Sequence, residues 1–210
     1  MSNISALLAE IRRPENTSDD VRAMYDKWSD RYESDLAIAT WNAPVEAAKG
    51  FSKVFHQKDG RILDCAAGTG LSGVELTRHG YSNIDAVDMS EESLKLAEQK
   101  KVYTNIICAT LGAEPIEGVE PDIYDAVICS GGFLRGHMDD RCLPELVRVL
   151  KPGGIIAITT NDFNGPSCVE GPTMARLKQE GILKSVEKYK LEKYLGDEDG
   201  WFLAYKVMNK

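Results

Sequence analysis

Short runs rich in Val and Ile recur along the middle of this chain, separated by stretches with helical spacing. Arg61–Cys65, Ile84–Met89, Asn105–Ala109, Asp125–Ser130 and Ile155–Thr160 read as strands. Their near-continuous apolar character predicts a sheet covered on both faces. Between them, Leu71–Arg78, Glu91–Lys101 and Leu143–Leu150 repeat apolar positions at three and four residues, as amphipathic helices do. Strand, helix, strand in alternation implies a parallel sheet, so the expected class is α/β, Rossmann-like and doubly wound.

Local signals agree with the pattern. Ser90 stands where an N-cap is needed, with Glu91 and Glu92 in the first turn beneath the positive end of the helix dipole. Lys151-Pro152-Gly153-Gly154 stops the preceding helix and turns the chain into the strand from Ile155. Thr17-x-x-Asp20 spells a capping box ahead of a helix carrying Tyr25, Trp28 and Tyr32. Late in the chain, a loop with Gly165, Pro166, Gly171 and Pro172 leads to a helix near Thr173–Glu180. Leu183–Tyr194 and Trp201–Met208 then flank Gly196–Gly200 as a hairpin.

Composition narrows the class. With 210 residues, 43% hydrophobic and 28% charged, the chain suits one folded domain. Its parts read as a flexible lead over 1–16, an N-terminal helical cover over 17–50, a binding core over 61–160, and a helix with a closing hairpin over 161–210. A net charge of −8 without a Lys/Arg cluster argues against nucleic acid. No run is long and apolar enough for a membrane span, and no signal peptide is read at Met1–Ile11. Five cysteines at 65, 108, 129, 142 and 168 offer neither a disulfide framework nor a metal cage, so no metal is expected and a reducing, cytoplasmic setting is. Cys65, Cys108 and Cys129 are expected to be buried as small hydrophobes.

The chemistry-bearing stretch is Ile62-Leu63-Asp64-Cys65-Ala66-Ala67-Gly68-Thr69-Gly70: a strand, an acid near its end, and a turn of small residues before a helix. Small side chains let a ligand touch the backbone there. Eighteen residues beyond Gly70, Asp88 closes the second strand, where a carboxylate can accept both hydroxyls of a ribose at about 1.5 to 3 kcal/mol per charge-assisted bond. Gly68-x-Gly70-x-x-Gly73 also spells the dinucleotide fingerprint, which by itself leaves an NAD(P)-dependent oxidoreductase open. Asp64, four residues before Gly68, adds negative charge near the turn, which suits an ammonium and a sulfonium better than a pyrophosphate.

L-D-x-x-x-G-T-G, V-D-M-S, Y-D-A-V-I-C-S and L-V-R-V-L-K-P-G-G, in this order over Arg61–Thr160, resemble the motif set of class I S-adenosylmethionine-dependent methyltransferases. Each motif is weak alone; the ordered set is specific. Met24-Tyr25-Asp26-Lys27-Trp28, Tyr32-Glu33-Ser34-Asp35, Pro144-Glu145-Leu146 and Thr159-Thr160-Asn161 are similar to the small methyltransferase-like subgroup of the Williams-Beuren region. The resemblance implies a seven-stranded, mostly parallel sheet closed by a C-terminal antiparallel hairpin. It also implies S-adenosylmethionine as cofactor and S-adenosylhomocysteine as product.

By matched position, the resemblance sets Asp64, Ala66, Gly68 and Gly70 near the methionine portion, Asp88 on ribose and Met89 against the adenine face. Thr110 and Leu111 fall at the adenine edge, Ser130 and Gly131 near the sulfur, and Tyr25, Trp28 and Tyr32 over the cofactor. Two departures stand out. Ala66 replaces the usual first glycine and is expected at negative φ, and Thr110 stands where the family often has an acid.

A base is needed only for an acceptor that enters protonated, and His137 and Asn161 are the candidates for it. Ser130-Gly131-Gly132-Phe133 takes the place of the family's Asn/Asp-Pro-Pro-aromatic signature for nucleic-acid amino groups. With the acidic charge, that favours a small-molecule acceptor over a protein one. A catalytically silent S-adenosylmethionine-binding adaptor is the alternative. The oligomeric state is not legible in the sequence.

Overall fold

The computed structural model describes residues 3–11, 13, 15–134, 137–161, 165–208 and 210. Seven strands form one sheet in the order β3-β2-β1-β4-β5-β7-β6. They are β1 Ile62–Cys65, β2 Ile84–Asp88, β3 Asn105–Cys108, β4 Tyr124–Ser130, β5 Leu150–Asn161, β6 Leu183–Leu195 and β7 Glu198–Val207. The pairs β3-β2, β2-β1, β1-β4 and β4-β5 are parallel, whereas β7 runs antiparallel to both β5 and β6. The expected seven-stranded α/β sheet with its closing hairpin is therefore present. The order reverses at β1/β4, and in open α/β sheets ligands bind beyond the carboxyl ends of the strands at such a switch point.

Alternation along the strands divides the core. Leu63, Cys65, Val127, Cys129, Ile156 and Ile158 face one layer, made by α6 (Leu143–Val149) and α7 (Pro172–Gln179) through Leu143, Leu146, Met174 and Leu177. Ile62, Ile84, Ala126, Ile128 and Ala157 face the other, where α3 (Ala43–Val54) and α4 (Leu71–Arg78) bring Phe51 and Leu76, joined by Phe55 at the end of α3. The short helix α5 (Glu91–Gln99) packs Leu94 over Ala86 and Ala67 on that side. Two helices, α1 (Asn3–Ile11) and α2 (Ser18–Ile38), lie across the top and join through Leu8, Ile11, Val21, Trp28 and Leu36.

Several expectations change in detail. No element was read ahead of Thr17, yet α1 is there, with Ile11 fully buried. Lys151-Pro152-Gly153-Gly154 does not precede the fifth strand but is a bulge within it: Leu150 already pairs with Tyr124, and pairing resumes at Ala126 with Ile155. Cys108 is exposed, because β3 is the sheet edge and presents Asn105 and Cys108 to solvent. The capping box is present as read, Thr17 Oγ1 accepting from the Asp20 amide at 3.2 Å and Asp20 accepting from the Thr17 amide at 2.9 Å.

Candidate functional site

A cleft of about 800 Å³, its open mouth included, lies at the carboxyl ends of β1, β2 and β4 beneath α2. Its floor is the turn after β1. Gly70 N–H bonds to the Ala67 carbonyl at 2.9 Å and the Ala67 amide to the Val87 carbonyl at 3.2 Å, which ties the turn to β2. Ala66 takes φ +54° inside it, correcting the expectation of a negative value. The turn's hydrogen bonds impose that conformation, and the methyl group is accommodated because residue 132 is glycine; a Cβ there would lie 2.7 Å from that of Ala66. At Gly68, φ is +53° and an added Cβ would meet nothing within 4 Å, so bare backbone faces the cleft.

Asp88 spans turn and helix. One carboxylate oxygen accepts from the Gly68 amide at 2.8 Å and the other from the Ser90 amide at 2.9 Å. Enclosure pushes its carboxyl up from the ordinary range, against the pull of the backbone amides of Ser90 and Gly68 and with a further push from Asp26. Each oxygen keeps a second lone-pair direction. The neighbouring Asp26 on α2 accepts from Ser90 Oγ at 2.6 Å, so the cover helix is fastened to the α5 cap beside Asp88. A second fastening joins Glu33 and Lys100 at 2.6 Å.

Asp64 is placed differently. It is fully buried under the turn and does not line the cleft. One oxygen accepts from Tyr103 Oη at 2.7 Å, and that hydroxyl in turn accepts from the Gly73 amide at 3.2 Å. Burial pushes the Asp64 carboxyl up to about 7, against the Tyr103 hydrogen bond and with a smaller push from the Asp88 charge. Tyr103 carries no motif, and sequence reasoning missed it. The only signal was indirect: two glycines of the turn and helix, at 70 and 73, would each crowd its ring if they bore a Cβ.

The structure brings Tyr25, Tyr32, Ala66, Gly68, Asp88, Met89, Thr110, Leu111, Ser130 and Gly131 to the cleft wall, along with His137. Trp28, Asp64 and Gly70 are not in that wall, and Asn161 lies beyond Gly131 in a second cavity. Thr69, Ser93, Ala109, Gly132 and Met138 join the wall without having been read from the sequence. Tyr25 Oη on α2 and His137 Nε2 on the loop after β4 are 2.8 Å apart, which joins the cover to the rim. Tyr32 has its phenol held well above its ordinary value by burial first, then by neighbouring Tyr25 and Asp88, so it stays protonated.

The wall tests for fit with a nucleoside bearing a cationic amino-acid arm. The hydroxyls of Thr69 and Ser130 are buried and have no hydrogen-bond partner among the described residues. Buried hydroxyls normally have partners, so both are groups a polar ligand would complete. With the bare turn at Gly68, the apolar Met89 and Leu111, and the Asp88 carboxylate, the donor set fits S-adenosylmethionine.

Fold and wall together define a class I S-adenosylmethionine-dependent methyltransferase, and the chain belongs to that family, with S-adenosylmethionine as cofactor. A family described as a methyltransferase domain matches residues 62–154. Methyltransferase-like protein 27 of Homo sapiens is 30% identical over 175 residues, covering 80% of this chain and 70% of that protein. A demethylmenaquinone methyltransferase of Clavibacter sepedonicus is 33% identical over 147 residues, 70% of this chain, which spans only 59% of that relative's length. Among solved structures, the [4+2]-cyclase SpnF superposes with a TM-score of 0.70 at 15% identity, over 92% of this chain and 97% of that one. That last likeness is one of fold alone. No helix among the described residues is long and apolar enough to cross a membrane.

Proposed function

We propose that this chain transfers the methyl group of S-adenosylmethionine to a small-molecule acceptor, with a protein acceptor as the second choice and nucleic acid as none. The observation that carries the reading is Asp88, held by the Gly68 and Ser90 amides in the wall of the cleft. The carboxylate would accept from the ribose hydroxyls, Met89 and Leu111 would sandwich the adenine, and Thr69 and Ser130 would donate to the amino-acid arm. When bound, the cofactor supplies a methyl group already activated on a sulfonium.

The chain's own part is then to orient the acceptor and exclude water, which can account for several kcal/mol of a barrier. Tyr25 and Tyr32 cover the cleft from α2 and limit water entry. His137 Nε2, bonded to Tyr25 Oη, would hold the proton that an acceptor hydroxyl or ammonium gives up. Asn161 would help to position the acceptor rather than act as a base. The net charge of −8 and the curated relatives named for quinone chemistry support a small acceptor. Five free thiols fit the reducing, cytoplasmic setting that belongs to the same reading.

The family match weighs against the oxidoreductase that the glycine fingerprint alone left open. Incubation with donor labelled in its methyl group and a fractionated cell extract tests transfer directly. A labelled small product supports the reading. Label in protein alone moves the acceptor to the second choice. Binding without any labelled product supports the silent adaptor instead.

A further inference from the structure

Behind Gly131 a second cavity of about 420 Å³, its opening included, lies between the N-terminal helices and the ends of β4, β5 and β6. It shares Tyr25, Tyr32 and Gly131 with the cofactor cleft, so the two are contiguous. Gly131 makes this possible. Its φ is +74°, and a Cβ there would stand 3.3 Å from Trp41 and 3.5 Å from Tyr194 Oη, inside the second cavity. Tyr25, Trp28, Tyr32 and Trp41 form a run of rings along its side, with successive centroids 5.9, 4.7 and 6.0 Å apart counting Tyr25–Trp28, Trp28–Tyr32 and Tyr32–Trp41. Leu36 and Leu134 add aliphatic wall, and no described lining residue is charged.

We propose that this cavity is the acceptor site and that its ligand is a planar aromatic molecule carrying one hydroxyl and no anionic group. The inference rests on the methyl-transfer reading above and narrows it to a substrate class. Aromatic walls favour a flat ring through offset and edge contacts. An anion would be desolvated with no cation to meet it, since no described lining residue carries a positive charge. The hydroxyl belongs at the Tyr25–His137 end, where the two cavities join and two polar side chains that can exchange a proton are already hydrogen-bonded.

Calorimetry on the full chain saturated with S-adenosylhomocysteine tests the class with two probes sharing one ring system: 2-naphthol and naphthalene-2-sulfonate. The proposal expects 2-naphthol to bind, and the charged probe to bind at least about tenfold more weakly. Leu134→Glu puts a carboxylate in the cavity wall at a partly exposed loop position and is expected to weaken 2-naphthol about tenfold, with S-adenosylhomocysteine affinity within about twofold of the parent. If S-adenosylhomocysteine binds and 2-naphthol does not, or the charged probe binds as tightly, or Leu134→Glu leaves 2-naphthol unchanged, the acceptor assignment is overturned while the cofactor reading stands. If S-adenosylhomocysteine itself does not bind, the cofactor reading falls, and the acceptor site with it.

Discussion

Tyr25 Oη lies 2.8 Å from His137 Nε2, and this hydrogen bond joins a helix near the start of the chain to the loop after the fourth strand, across the mouth of the cofactor cleft. A hydrogen bond of this kind contributes about 0.5 to 1.5 kcal/mol. Tyr25→Phe keeps the ring and removes the link. Stopped-flow measurement should show S-adenosylhomocysteine leaving roughly two to ten times faster, with a melting temperature lower by about 1 to 6 °C. An unchanged off-rate would mean that α2 does not gate the cleft through this contact.

Ala66 sits at φ +54°, a left-handed conformation that costs a residue with a Cβ about 1 to 2 kcal/mol. Glycine avoids that strain but loses about 0.4 to 1 kcal/mol through the freedom of the unfolded chain. Ala66→Gly should therefore raise the melting temperature slightly, by about 1 to 3 °C. A drop of that size would show that the methyl group's packing over Gly132 outweighs the strain.

Most of the sheet could be read from the chain because β1, β2, β4 and β5 are short apolar runs set off by amphipathic helices or turn residues. Leu71–Arg78 has the same limits in sequence and structure, and the Gly196-Asp197 turn lies where two alternating runs meet. What escaped reading depends on contacts between distant segments. Trp28 shares a helical stripe with Tyr25 and Tyr32, yet it turns toward α1 and the second cavity, and α1 itself gave no sign. The φ of Ala66 is set by hydrogen bonds to β2, not by its neighbours in sequence.

Tyr103 shows the same limit from the energetic side. Its hydroxyl donates to Asp64 and accepts from the Gly73 amide, so Tyr103→Phe leaves two buried groups without their partner. Each such loss costs about 1 to 3 kcal/mol. A fall of at least about 4 °C in melting temperature is expected by calorimetry. A change under about 1 °C would mean that neither group relies on the phenol.

Asp64 carries a pH signature. Its carboxyl titrates near 7 in the fold and near 3.9 in the unfolded chain, so between these values the folded state holds a proton that the unfolded state does not. Stability from this group is therefore full below about pH 4, falls as pH rises towards 7, and is level above. Asp64→Asn removes the titration while retaining an oxygen for Tyr103. The unfolding free energy of the ligand-free parent, taken from thermal melts, should fall relative to the variant between pH 5 and 7, by at most about 1.4 kcal/mol per pH unit. Parallel curves would place the Asp64 titration outside that window.

The central claim is that Asp88 anchors the cofactor's sugar where the glycine turn exposes its backbone. Calorimetric titration of the parent and of Asp88→Ala with S-adenosylhomocysteine tests it most directly, with a thermal melt to verify that the variant is folded. The account predicts saturable binding by the parent and affinity at least about tenfold lower in the folded variant, a loss of about 1.4 kcal/mol or more. Equal affinities in the two proteins, or no heat from the parent, would contradict it.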